Sequence, residues 1–143
     1  MKLTRGGEYG IRGVLYLAQQ DHGKVNMLSA IAKAQDVPPR FLAKIFQALA
    51  KAGIVKSHRG AKGGFSLGRP AEEVTIKDVI EAIEGPIRLN VCLMGPGECS
   101  RDKICPIHKV WEEAQEKMMG VLSRANFAEL AKAERQAHLT ISS

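Results

Sequence analysis

Apolar positions recur at helical spacing through most of this chain, and the period shortens to that of a strand only once. Ile11, Val14, Leu15 and Ala18 share a face, which predicts a first helix from about Thr4 to Asp21. Gly6, Gly7, Gly10 and Gly13 weaken its propensity but permit close packing. Leu28, Ile31 and Ala32 predict a short second helix over Leu28 to Gln35, with Asn26 as a candidate cap. After the turn Asp36-Val37, Pro38 and Pro39 suit a first helical turn, so a third helix is expected to run to Ala52 and stop at Gly53. Its apolar stripe is Leu42, Ile45, Phe46 and Leu49, and Arg40, Lys44, Gln47 and Lys51 lie on the other side. The period then changes: Ile54 to Arg59 reads as a strand, Gly60 to Gly64 as a turn, and Phe65 to Leu67 as the returning strand.

Thr75 and Asp78 are spaced to cap a helix from Ile76 to Glu84 whose inner face is Ile76, Val79, Ile80 and Ile83. Gly85-Pro86 ends it. Ile87 to Ile104 has no period and is long for a compact domain unless something external orders it. Cys105 takes the cap position ahead of Pro106, where the longest helix begins, reaching about Arg124. Along it Ile107, Trp111, Ala114, Met118, Val121 and Ala125 alternate by four and three, as in a coiled-coil seam. A partner helix is therefore expected, with packing inside the monomer as the alternative. Asn126 and Glu129 mark the cap of a last helix from Phe127 to about Ala137, and His138 to Ser143 should fray. The expected fold is mainly α with a small β-hairpin wing. Residues 1–70 are expected to form a winged helix-turn-helix domain, and residues 71–143 the aperiodic loop with dimerisation helices.

Charge sharpens this division. The net charge is +6, but residues 1–70 carry 12 Lys+Arg against 3 Asp+Glu, while residues 71–143 carry 9 against 12. Such asymmetry suggests a polyanion-binding front half, with nucleic acid as the default and a solvated basic face as the alternative. Two short helices joined by a turn, the second presenting Arg, Lys and Gln, have the layout of a helix-turn-helix that enters the major groove. We therefore assign Arg40, Lys44 and Gln47 to base edges, with Lys51 on the same exposed face. Arg59 and Lys62 at the wing tip are assigned to the minor groove and backbone. The glycines around Lys62 do not make a nucleotide-binding loop, because a strand follows instead of a helix. The expected partners are a double-stranded DNA operator and a second copy of the chain. No apolar stretch of signal or membrane-spanning length is read, so a cytoplasmic location without membrane association is expected. No nucleophile–base pair or catalytic carboxylate pair is evident, and no enzyme is expected.

The chain's three cysteines, Cys92, Cys99 and Cys105, fall within fourteen residues, and His108 follows three positions after the last. A disulfide framework is poorly supported by an odd count in a chain long enough to build a core. Three cysteines and a histidine suit structural zinc, but the usual close cysteine pair is missing. Cys105-Pro106 echoes the Cys-Pro that closes many iron-sulfur ligand runs. On spacing alone iron-sulfur and zinc stand level, with a metal-free redox thiol set as a third option. A helix starting at Pro106 directs the positive end of its dipole at the thiol site, which offsets negative charge there.

Four features together resemble the Rrf2 family of winged-helix repressors. They are the opening Met1-Lys2-Leu3-Thr4, the helix-turn-helix through Phe46 and Leu49, the wing Arg59-Gly60-x-x-Gly63-Gly64-Phe65 and the Cys92/Cys99/Cys105/His108 set. The resemblance runs from Met1 to about Leu130 and implies a dimer whose three cysteines hold a two-iron or four-iron cluster. It divides over the fourth ligand. Iron-sulfur regulators of the family use a histidine matching His108, whereas nitric-oxide sensors use a carboxylate of the partner subunit matching Glu8. His108 is favoured as the local choice. The six-residue gap between Cys92 and Cys99 exceeds the five typical of the iron-sulfur regulators, so cluster type does not transfer. Ala43 stands where those regulators have a glutamate that discriminates between operators, so sequence preference does not transfer either. The resulting expectation is a repressor sensing redox state, nitric oxide or iron-sulfur status. The alternatives are a winged-helix regulator with structural zinc or bare thiols, and a small electron-transfer iron-sulfur protein.

Overall fold

The structure, a computed structural model, describes residues 2–89 and 105–142. Among the described residues, six helices and one hairpin follow in the order expected: α1 (Arg5–Gln19), α2 (Leu28–Gln35), α3 (Pro39–Lys51), β1 (Val55–His58), β2 (Gly64–Leu67), a 3-10 turn at Ala71–Glu73, α4 (Ile76–Glu84), α5 (Pro106–Arg124) and α6 (Phe127–Ser142).

Helix α1 runs through the middle of the molecule, because its glycines let neighbours approach its backbone. A Cβ at Gly10 would collide with the Ile83 side chain of α4, and one at Gly13 would lie 2.5 Å from the Phe46 ring of α3. The Thr4 hydroxyl accepts from Gly7 N–H at 3.1 Å, and the Thr4 N–H donates to Glu84 Oε1 at 2.6 Å. The first helix is thereby tied at its start to the last residue of α4.

Between α2 and α3, Asp36 adopts a left-handed conformation (φ 53°), one that a short polar side chain tolerates. Its neighbour Val37 is buried and donates its N–H to Ala32 O at 2.9 Å, fixing the turn. Leu42, Ile45, Phe46 and Leu49 are all buried, so the expected stripe of α3 is its inner face. Asn26 does not cap α2. Met27 holds that position without a side-chain bond, while the Asn26 backbone exchanges two 2.8 Å hydrogen bonds with Phe65. The buried Asn26 thus makes a single antiparallel bridge to β2, a long-range pairing that outweighs its local capping preference.

The hairpin is antiparallel, with Val55 opposite Leu67 and His58 opposite Gly64. Phe65 packs edge-on against the buried Phe46, ring centroids 5.0 Å apart, so the wing and α3 share an aromatic contact. Thr75 and Asp78 form both halves of the expected capping box on α4. On that helix Val79 and Ile80 are buried, and Ile76 and Ile83 are half-buried at the margin. Backbone bonds from Ile76 N–H to Ala125 O and from Phe127 N–H to Val74 O stitch its start to the junction of α5 and α6. Phe127 and Val74 therefore join Val14, Phe46 and Val79 in one core. Helix α6 continues to Ser142 where fraying was expected after Ala137. No Gly or Pro interrupts it, and the Thr140 hydroxyl donates back to Gln136 O at 3.0 Å.

Candidate functional site

Two surfaces carry the candidate residues. On the first, Arg40, Lys44, Gln47 and Lys51 are all exposed along α3, opposite the buried stripe. Arg59 and Lys62 are exposed at the wing tip. Among the described residues, none of these five cations is engaged by a carboxylate. Their donors are thus unspent, as a polyanion-binding surface requires. Toward its tip the wing is braced by a 2.8 Å hydrogen bond between His58 Nε2 and the buried Ser66 hydroxyl. Phe41, in the first turn of α3, is 60% exposed beside these donors, although every other large apolar side chain of that helix is buried. Periodicity did not single it out, because it lies at the edge of the stripe.

The second surface is the start of α5. Cys105 is its N-cap, half-buried and free, with no side-chain bond to the helix, and Pro106 follows at the first helical position as expected. One turn on, His108 is half-buried. Its Nδ1 is buried with no hydrogen-bond partner among the described residues, and its Nε2 lies 3.7 Å from Glu112 Oε2. Cys92 and Cys99 lie outside the described residues. Glu8 is an exposed residue of α1 whose carboxylate holds Arg12 at 2.7 Å. Gln115, which the sequence did not flag, faces the chain leading toward the cysteine segment: its amide donates to Ile87 O and its oxygen accepts from Leu89 N–H at 2.9 Å.

Among the described residues, α5 packs only lightly on the rest of the chain. None of its residues is buried, and Ile107 (59%), Val110 (64%) and Val121 (58%) stand open to solvent, with Trp111 also exposed. Among the described residues, no helix is long and apolar enough to cross a membrane.

The wing, the exposed cationic face of α3 and the Cys105-capped start of α5 have counterparts among known proteins. Residues 3–133 match the Rrf2 family, described as an iron-dependent transcriptional regulator. The chain belongs to the Rrf2 family. Its members are transcriptional regulators and not enzymes, and membership implies DNA binding. The chain is 31% identical over 132 residues to the HTH-type transcriptional regulator IscR of Vibrio campbellii, covering 92% of this chain and 78% of that protein. Among solved structures it resembles IscR of T. potens, with a TM-score of 0.77 at 28% identity, covering 96% of this chain and 90% of that one. It resembles equally CymR, the global cysteine regulator of B. subtilis, with a TM-score of 0.77 at 28% identity over 93% and 98% of the two chains. The mainly helical Rrf2 fold with its winged hairpin thus agrees with the fold class expected from the sequence.

Proposed function

We propose that this Rrf2 protein is a cytoplasmic, homodimeric repressor that reports redox state, nitric oxide or iron-sulfur status through a cluster held by Cys92, Cys99, Cys105 and His108. The observation that carries the reading is the buried His108 Nδ1. A buried ring nitrogen without a partner is costly, and ligation is one use for such a nitrogen one turn from a free thiol. Three thiols and an imidazole also suit iron-sulfur chemistry in their donor types. Glu8 is the weaker fourth ligand, because its carboxylate is already paired with Arg12. When bound, the cluster supplies a centre whose charge and integrity depend on oxidants.

The chain's own residues supply the link to DNA. Cys105 and Pro106 set where α5 begins, and Gln115 fastens that helix to residues 87 and 89. Gly85 joins this segment to α4, Glu84 holds the start of α1, and Gly13 of α1 lies against Phe46 of α3. A rearrangement at the thiol site thus has a continuous packed route to the recognition helix. The exposed apolar face of α5 supports pairing with a second copy, which would set the spacing of the two recognition helices. Because half-site spacing follows dimer geometry, a small rotation weakens many specific contacts together. Arg40, Lys44, Gln47 and Lys51 are proposed to face the major groove, with Arg59 and Lys62 on the backbone and minor groove.

Anaerobic purification with visible absorption and paired iron, sulfide and zinc assays tests the reading. Coloured protein with iron and sulfide is expected, and Cys99→Ala should be colourless yet folded and dimeric. Colourless protein holding zinc, with DNA binding indifferent to oxygen, would replace the cluster by structural zinc. The equal likeness to CymR favours one second reading, metal-free regulation tied to cysteine supply, for which neither metal would be found. An electron carrier has no use for unpaired cations on α3 and the wing, and salt-dependent duplex binding separates it from all of these.

A further inference from the structure

We propose that Phe41 is a specificity-determining residue that packs on the C5-methyl group of a thymine in the operator. The inference rests on the reading of α3 as the recognition helix. Phe41 is the third residue of α3, in the turn whose side chains approach base edges when such a helix enters the major groove. It follows Arg40 directly and precedes Lys44 by three positions, so the ring sits on the flank of the cationic face and not on the core stripe. The core does not use it. Leu42, Ile45, Phe46 and Leu49 are buried, whereas Phe41 remains 60% exposed and makes no ring contact with another aromatic among the described residues.

An exposed phenyl group beside unpaired cations gains nothing from phosphates, which offer charge and hydrogen-bond acceptors. The polar base edges of the major groove offer it no better match. The thymine methyl is the one apolar group presented there, and a ring at this position excludes water from it. Phe41 has no hydrogen-bonding atom, so it would distinguish thymine from cytosine by contact alone. The half-buried Ala43 carries no polar group for base reading, which leaves discrimination at α3 to Phe41 and the donors Arg40, Lys44 and Gln47.

The test starts from the full-length chain, prepared with and without air, and a site selected from a random duplex pool. Each thymine of the selected site is replaced in turn by deoxyuridine, which removes only the methyl. For the wild-type protein one replacement per half-site should weaken binding about fourfold, the effect of uncovering one methyl-sized group. Phe41→Ala should weaken binding to the selected site by about tenfold, within the range of losing one base contact, and change binding to random duplex by less than about twofold. It should also lose all sensitivity to the deoxyuridine replacement, while Phe41→Leu retains most of it. Thermal melting of each variant confirms that the fold is kept. A flat deoxyuridine scan, equal losses on selected and random duplex, or undiminished methyl sensitivity in Phe41→Ala overturns the role of Phe41 while leaving DNA reading intact. Failure of the wild-type protein to select any site overturns both.

Discussion

Helices α3 and α5 both carry apolar residues at three- and four-residue spacing, yet they use them differently. In α3 the stripe closes a core with α1, the wing and α4, and four of its side chains are buried. In α5, six residues longer, no side chain is buried, and Ile107, Val110 and Val121 face solvent. One helix is enclosed by the described residues and the other stays largely exposed. Apolar spacing states that a face must be covered, and only the tertiary arrangement decides what covers it.

Three substitutions separate these situations. The largest loss of stability is expected for Phe46→Ala, which empties the contact with Phe65 and Gly13 and should cost about 3–5 kcal/mol. Denaturant unfolding should show this loss equally at every protein concentration. Val121→Asp should instead leave the unfolding of the isolated chain nearly unchanged and raise the dimer dissociation constant roughly thirtyfold or more, the size of a hot-spot loss of about 2 kcal/mol. Analytical ultracentrifugation reads this directly, and an unchanged sedimentation profile would remove α5 from the proposed interface. A smaller loss of stability than that of Phe46→Ala is expected for Gly13→Ala, an overpacking change of about 1–3 kcal/mol, because the new methyl must displace the Phe46 ring. If Gly13→Ala proved neutral in thermal melts, the α1–α3 contact would be looser than its geometry implies.

Local signals made much of this legible in the sequence. The limits of α2, the proline start of α3, the Thr75–Asp78 box and the Cys105-Pro106 start of α5 depend on neighbouring residues, and the structure reproduces each. Asn26 was misread because its partner Phe65 is 39 residues away and no local preference encodes that pairing. The extent of α6 was misread for the opposite reason, since fraying was expected of the last residues although none of them breaks a helix. At the candidate thiol site, spacing alone picked out Cys105 and His108. Gln115 stayed hidden, because a glutamine on a helix resembles any solvated polar residue until Ile87 and Leu89 are seen against it.

The contact between Glu84 and the Thr4 amide joins residues 80 positions apart, at a place where a Cβ on Gly7 would crowd both Leu3 and the Glu84 carboxylate. The opening residues of the polypeptide and the exit from α4 consequently behave as a single latch. An alteration to either half of it, even one remote from every thiol and every base, would change how firmly the two ends of the regulator are geared to each other.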